Sequence, residues 1–168
     1  MKFQKQSIWP LAVVGFLGLY ILSSLFPPSY NTAFDINGFS ALPVLNGGRI
    51  KPLDTVARVS LLMLHGKQTL KLKEKKMSPI EWLLDVLFRP DQANEYPCFR
   101  IDNPDVLGVF HLPQRSPPYF SFNELLPSFS SLEIQSNQAD QVKPELRSKF
   151  DRAVLQLQSN LTLYQKLQ

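Results

Sequence analysis

The sequence predicts a mostly helical α+β fold behind a single N-terminal membrane helix, and three observations set that class. An uncharged apolar run, "IWPLAVVGFLGLYILSSLF", fills residues 8–26. Helix-start signals with capping serines recur through the rest of the chain, and a long stripe of apolar residues spaced by three or four closes it. Short β-capable arms flank "NGG" at residues 46–48, so strands are expected, but few and brief.

The apolar run is long enough to cross ~30 Å of hydrocarbon as a helix, and Pro27-Pro28 closes it. Lys2 and Lys5 precede it and no acid does, so the positive-inside bias leaves residues 1–7 in the cytoplasm. The expected organisation is then a signal anchor at 8–26, a tether at 27–41 and an extra-cytoplasmic α+β domain at 42–168. This makes the chain a single-pass protein of the inner (cytoplasmic) membrane with a periplasmic domain. A cleaved signal peptide is the competing reading, but no convincing small-x-small site follows the run directly.

Charge excludes one function class. The pI is near 9.2 and the net charge +4, yet two of the 18 cations precede the apolar run and all 14 acids follow it. The remaining balance of +2 is ordinary surface and argues against a nucleic-acid footprint.

In chain order, the tether "PSYNTAFDINGFSA" is polar with a turn signal at Asn37-Gly38. Val44-Leu45 and Arg49-Ile50-Lys51 around Gly47-Gly48 predict a tight hairpin, and Pro52 turns it into a helix over 53–65 stopped by Gly66. That helix is apolar nearly all round, so it needs cover. "KQTLKLKEKK" alternates leucine with lysine, the pattern of an edge strand protected by charge. Its lysines are read as a solvated edge, with contact to anionic lipid as the second reading.

Ser78-Pro79-Ile80-Glu81 is a capping box for a helix ended by Pro90, with Trp82, Leu83, Val86 and Leu87 inward. "YPCFRI" predicts a strand, Asn103-Pro104 a helical turn, "LPQRSPPYF" a loop, and Ser121-x-x-Glu124 a helix interrupted near Pro127. From Pro144 onward, Leu146, Phe150, Val154, Leu157, Leu161, Tyr164 and Leu167 lie on one helical face.

Residue patterns for chemistry are sparse. His65 and His111 lack metal-ligand spacing, and His65 reads as a cation-capable residue at a helix C-terminus. No C-x-x-C-H haem attachment sequence, phosphate loop or nucleophile elbow occurs. Glu81 and Asp85 lie one turn apart, but the capping box accounts for Glu81. Cys98 reads as a half-buried apolar thiol beside Phe99, and the glycosylation pattern at Asn160 falls on the closing helix. The expectation is therefore no enzyme, no catalytic residue, no metal and no cofactor.

"LPVLNGGRIKPLDTVAR" resembles a segment of system II cytochrome c biogenesis proteins of the CcsA/ResC type. The match runs through Leu42, Pro43, Val44, Gly47, Gly48, Arg49, Ile50, Lys51, Pro52, Leu53, Asp54, Thr55, Ala57 and Arg58. "SPIEWLLDVLFRPDQA", "PYFSFNELLPSF" and the closing helix are also similar to that family. Its tryptophan-rich haem-handling segment and transmembrane histidines are absent from this chain. The resemblance thus implies an accessory scaffold that docks on the multi-spanning haem-handling subunit or on the apocytochrome, by protein–protein interaction. Direct contact with haem is allowed by it but unsupported.

Arg49, Lys51, Asp54 and Arg58 are the candidate partner-binding residues. The two cations on the hairpin arm suit carboxylates, while Asp54 is expected to cap the helix. An Arg49–Asp54 pair that fixes the hairpin is the structural alternative for the same residues. A second functional reading is a bitopic envelope protein that assembles through the closing amphipathic helix, unrelated to haem. A third, a haem-binding chaperone using His65 or His111, lacks convergent ligands.

Overall fold

The computed structural model describes residues 9–24, 34–72 and 75–168. The chain divides into two units, Met1–Asn37 and Gly38–Gln168.

In the first unit, α1 (Trp9–Ser24) is a helix of 16 residues. At 1.5 Å per residue it is about 24 Å long, short of the ~30 Å hydrocarbon core. Among the described residues no helix is long and apolar enough to cross a membrane. The transmembrane signal anchor is therefore corrected, and the single-pass inner-membrane placement with a periplasmic domain, which rested on it, goes with it. Ile8, Leu25 and Phe26, which the expected span included, lie outside the described residues. Part of the expected tether is helical instead, as α2 (Ile36–Ser40).

The body Gly38–Gln168 is mostly helical with brief strands, as the pattern predicted. The hairpin forms as β1 (Pro43–Asn46) and β2 (Arg49–Pro52), antiparallel, with Leu45 opposite Ile50 and Val44 opposite Lys51. Gly47 and Gly48 have φ of 61° and 74°, the paired positive values of a two-residue type I′ turn. Helix α3 (Leu53–His65) follows directly and ends at Gly66, whose φ of 75° and N–H bond to the Leu62 carbonyl make a left-handed cap.

The lysine-rich segment is not a lone edge strand. It folds back as β3 (Leu70–Lys71) against β4 (Lys76–Met77), which seats Leu70 and Met77 in the interior. The capping box opens α4 (Pro79–Phe88) with both reciprocal bonds made. Its buried face is Ile80, Trp82, Leu83 and Val86, while Leu87 is partly exposed. Pro90 does more than stop α4, because it is the first residue of a further turn, α5 (Pro90–Ala93).

Strand β5 (Phe99–Arg100) pairs with β6 (Tyr119–Phe120), so the proline-rich loop ends in a strand that the sequence did not announce. Between them α6 (Pro104–Val109) is capped by the Asn103 side chain. Helix α7 (Phe122–Leu125) starts from the Ser121 capping box, a 3-10 turn spans Leu126–Ser128, and α8 (Phe129–Gln141) continues. The predicted closing helix is shorter at its front. Pro144–Leu146 is a 3-10 turn with Leu146 exposed, and α9 (Lys149–Leu167) begins at a third capping box, Ser148 with Asp151.

The core lies where α3, α4, α8 and α9 meet. Val154, Leu157, Leu161 and Tyr164 from α9 are buried, beside Trp82 and Val86 of α4 and Leu61 and Leu64 of α3. Tyr164 is the hub of an aromatic cluster, with ring centres 5.3 Å from Phe99, 5.2 Å from Phe122 and 6.4 Å from Trp82. Such offset and edge-on pairs add roughly 0.5–1.5 kcal/mol each beyond area burial. The Tyr164 hydroxyl donates to Asn94 Oδ1 at 3.1 Å, tying α9 to the turn after α5.

Candidate functional site

Strand alternation sorts the hairpin into two faces. Pro43, Leu45, Ile50 and Pro52 share one, and Val44, Asn46, Arg49 and Lys51 share the other. All four residues of the first face are apolar and exposed, with Leu45 at 77% and Ile50 at 78% of full exposure. A two-stranded ribbon is marginal by itself, and this one is tied to its helix by the Leu53 N–H donating to the Leu42 carbonyl at 2.9 Å. It is a short arm carrying an exposed apolar surface.

The four sequence-selected residues fall around that arm without forming one cluster. Lys51 Nζ donates to Asn46 Oδ1 across the ribbon at 3.4 Å, and Arg49 is exposed at the turn end of the same face. Asp54 sits in the first turn of α3 but makes no side-chain cap bond. It accepts instead from Arg58 Nε at 2.6 Å, one helical turn on. Both the expected cap and the Arg49–Asp54 pair are therefore replaced by an i,i+4 ion pair, a geometry open to any Asp–Arg couple at that helical spacing. Leu45 and Ile50 are the residues that sequence reasoning passed over. Their signal was the period-2 alternation about the glycine pair, which puts them side by side.

A concave feature lies around the end of α3. A cleft of about 1140 Å³ is walled by His65, Leu72, Pro97, Pro117 and Tyr119 and ringed by Lys67, Lys71, Lys75, Arg115, Glu95 and Glu124. His65 is not a solvated helix-end cation. It is only 5% exposed, stacks on Tyr119 with ring centres 4.0 Å apart, and its Nδ1 is sealed off without a hydrogen-bond partner. Burial, with Lys67 and Arg100 adding to it, pushes its pKa down to about 4, so the imidazole is neutral near pH 7.

Arg115 lies on the rim of the same cleft. Its guanidinium holds Glu124 through both terminal nitrogens at 2.9 and 2.8 Å, donates to the Tyr119 carbonyl, and lies 4.1 Å over the Phe120 ring. Those bonds hold the Glu124 carboxyl below its ordinary value against the opposing pull of burial. Arg115 Nε is buried and has no partner. Of the other cations, Lys75 pairs with Glu81 at 2.9 Å, while no ion pair among the described residues engages Lys67 or Lys71.

The remaining candidates serve the fold. Glu81 caps α4, and although burial raises its pKa, the Ser78 and Lys75 bonds leave it lowered. Asp85 accepts from the Tyr96 hydroxyl at 2.8 Å. Cys98 is fully buried rather than half-buried, and burial pushes its thiol up to about 12. Asn160 is buried and accepts from Gln156 Nε2 at 2.9 Å. Among the described residues, no group of three or more His, Cys, Asp or Glu side chains is arranged to hold a metal ion.

No known family model matches the chain, and no curated protein matches it.

Proposed function

We propose that Gly38–Gln168 is a docking module that works through its β1–β2 arm. The observation that carries this reading is the exposed apolar face of Pro43, Leu45, Ile50 and Pro52. Exposed apolar area on a protruding element is the kind of surface that a partner covers. The fitting partner is a protein with an apolar groove to take Leu45 and Ile50, and carboxylates on its rim to meet Arg49 and Lys51.

The sequence segment that resembles system II cytochrome c biogenesis proteins spans this arm and the start of α3. That motif supports a multi-spanning haem-handling subunit or an apocytochrome as the partner, with this chain as an accessory scaffold that makes no bonds itself. The alternative of assembly through the closing helix has lost its favouring feature, because Leu157, Leu161 and Tyr164 are buried in the domain's own core.

Affinity purification of the full chain from its host under mild detergent tests the proposal. Recovery of a multi-spanning cytochrome c biogenesis subunit with the wild type, and its loss with Leu45→Asp/Ile50→Asp, supports it. Burying those two side chains stabilises a complex by roughly 3 kcal/mol, so the variant should bind about a hundredfold more weakly. Reproducible absence of such a subunit from the wild-type eluate refutes the partner, and equal recovery with the variant refutes the surface.

A further inference from the structure

The cleft at the end of α3 is not used by the docking arm, and its chemistry is of another kind. Its walls are apolar or aromatic at Leu72, Pro97, Pro117 and Tyr119, while four cations and two carboxylates ring it. Among the described residues, Arg115 and Lys75 have carboxylate partners while Lys67, Lys71 and Glu95 have no ion pair, so two lysines against one carboxylate leave the rim with a net positive charge. Two buried nitrogens without hydrogen-bond partners, His65 Nδ1 and Arg115 Nε, belong to residues that line it. Buried polar groups are seldom left unpaired, and where they are, a functional site is a recurring explanation. The volume of about 1140 Å³ is slightly above the ~300–1,000 Å³ of ordinary small-molecule pockets, so there is room for a ligand with an extended apolar body.

We propose that this cleft binds an amphipathic organic anion, with an apolar body against Tyr119, Pro117 and Leu72 and an acidic head held by Lys67 and Lys71. A neutral His65 suits that arrangement, since an uncharged ring can form part of an apolar wall where an imidazolium cannot. The Arg115–Glu124 pair is held by a two-pronged bond, so those two rim charges neutralise each other without a ligand. The proposal stands independently of the docking arm, because none of its residues lies on β1 or β2.

The test is titration of the full chain with laurate, followed by calorimetry and by amide chemical shifts. Dodecyltrimethylammonium, of equal tail and opposite charge, is the control. Saturable binding of one laurate is expected, with shifts concentrated at residues 65–72 and 115–121. Lys67→Gln/Lys71→Gln should weaken it about tenfold while leaving the thermal unfolding curve unchanged, the loss of a charge-assisted contact. Vesicles of phosphatidylglycerol form a second arm. Binding of monomeric laurate assigns the cleft to a free anion, whereas lysine-dependent binding of vesicles alone assigns the same head-group chemistry to a bilayer lipid. Equal affinity for the cationic detergent, shifts confined to Trp9–Ser24, or an unaltered affinity in the lysine variant would each overturn the proposal.

Discussion

Replacing His65 by Phe should remove a pH dependence from the stability of this protein. His65 is 5% exposed, packed on Tyr119 at 4.0 Å, and shares its surroundings with Lys67 and Arg100. Burial is the main reason its pKa falls from 6.5 to about 4, with the two cations contributing in the same direction. The sign follows from linkage. Between these values the unfolded chain holds a proton that the folded chain refuses, so stability rises with pH across that window. The contribution is complete above about pH 6.5 and is lost as pH falls toward 4. At about 1.4 kcal/mol per pH unit the ceiling is near 3 kcal/mol, and screening by solvent at the cleft edge brings the expected loss to about 2 kcal/mol between pH 7.5 and 4.5. The carboxyls of Glu81, Glu124 and Asp151 are also held low on folding and add a slope of the same sign toward the acid end, so the His65 share is read as the difference between wild type and variant. Urea unfolding at four pH values, read by circular dichroism, gives the slope. His65→Phe keeps an aromatic ring on Tyr119 and should flatten the curve between pH 6.5 and 4.5. A wild-type curve already flat there, or a variant with the wild-type slope, would refute the buried neutral histidine.

Other consequences are as direct. Ser148→Ala removes the hydroxyl that accepts from the Asp151 N–H at 3.1 Å, and should cost about 1 kcal/mol in urea unfolding, with fraying confined to the first turn of α9. Tyr164→Phe deletes the bond to Asn94 but keeps the aromatic cluster, so a loss of about 1 kcal/mol is expected, against roughly 3–5 for Tyr164→Ala. Cys98, fully buried with its thiol pushed up to about 12, should react with a thiol reagent far more slowly in the folded chain than in urea. Equal rates would place it at the surface.

How much of this was legible in the sequence depends on how local each signal is. The β1–β2 turn, the Gly66 stop and the Ser78 and Ser121 boxes are set by residues within five positions of one another, and each forms where the pattern placed it. Pairing of β5 with β6 joins residues twenty apart through a proline-rich loop, and nothing near Tyr119 marks it as a strand partner. The burial of His65 has the same origin, since Tyr119 reaches it only once that ladder has formed. Leu146 looked like the start of the closing stripe because it fits the spacing. The Ser148 box three residues from Asp151 is the stronger stop-and-start signal, and it sets the true beginning of α9. The apolar run at 8–26 predicts a span from its full length and lack of charge, whereas the helix described within it is 16 residues long.

On the β1–β2 hairpin, Arg49 and Lys51 are the residues that charge marks in the sequence, while the face opposite them is the exposed apolar one. Site-specific photo-crosslinking addresses it most directly. A photoreactive amino acid is placed at Leu45 in the full chain in its host, with Ile134 on α8, itself 57% exposed, as the control position. The account predicts a crosslink from position 45 to a single protein, a cytochrome c biogenesis subunit by mass spectrometry, and none from position 134. The same products from both positions, or none from position 45, would contradict it.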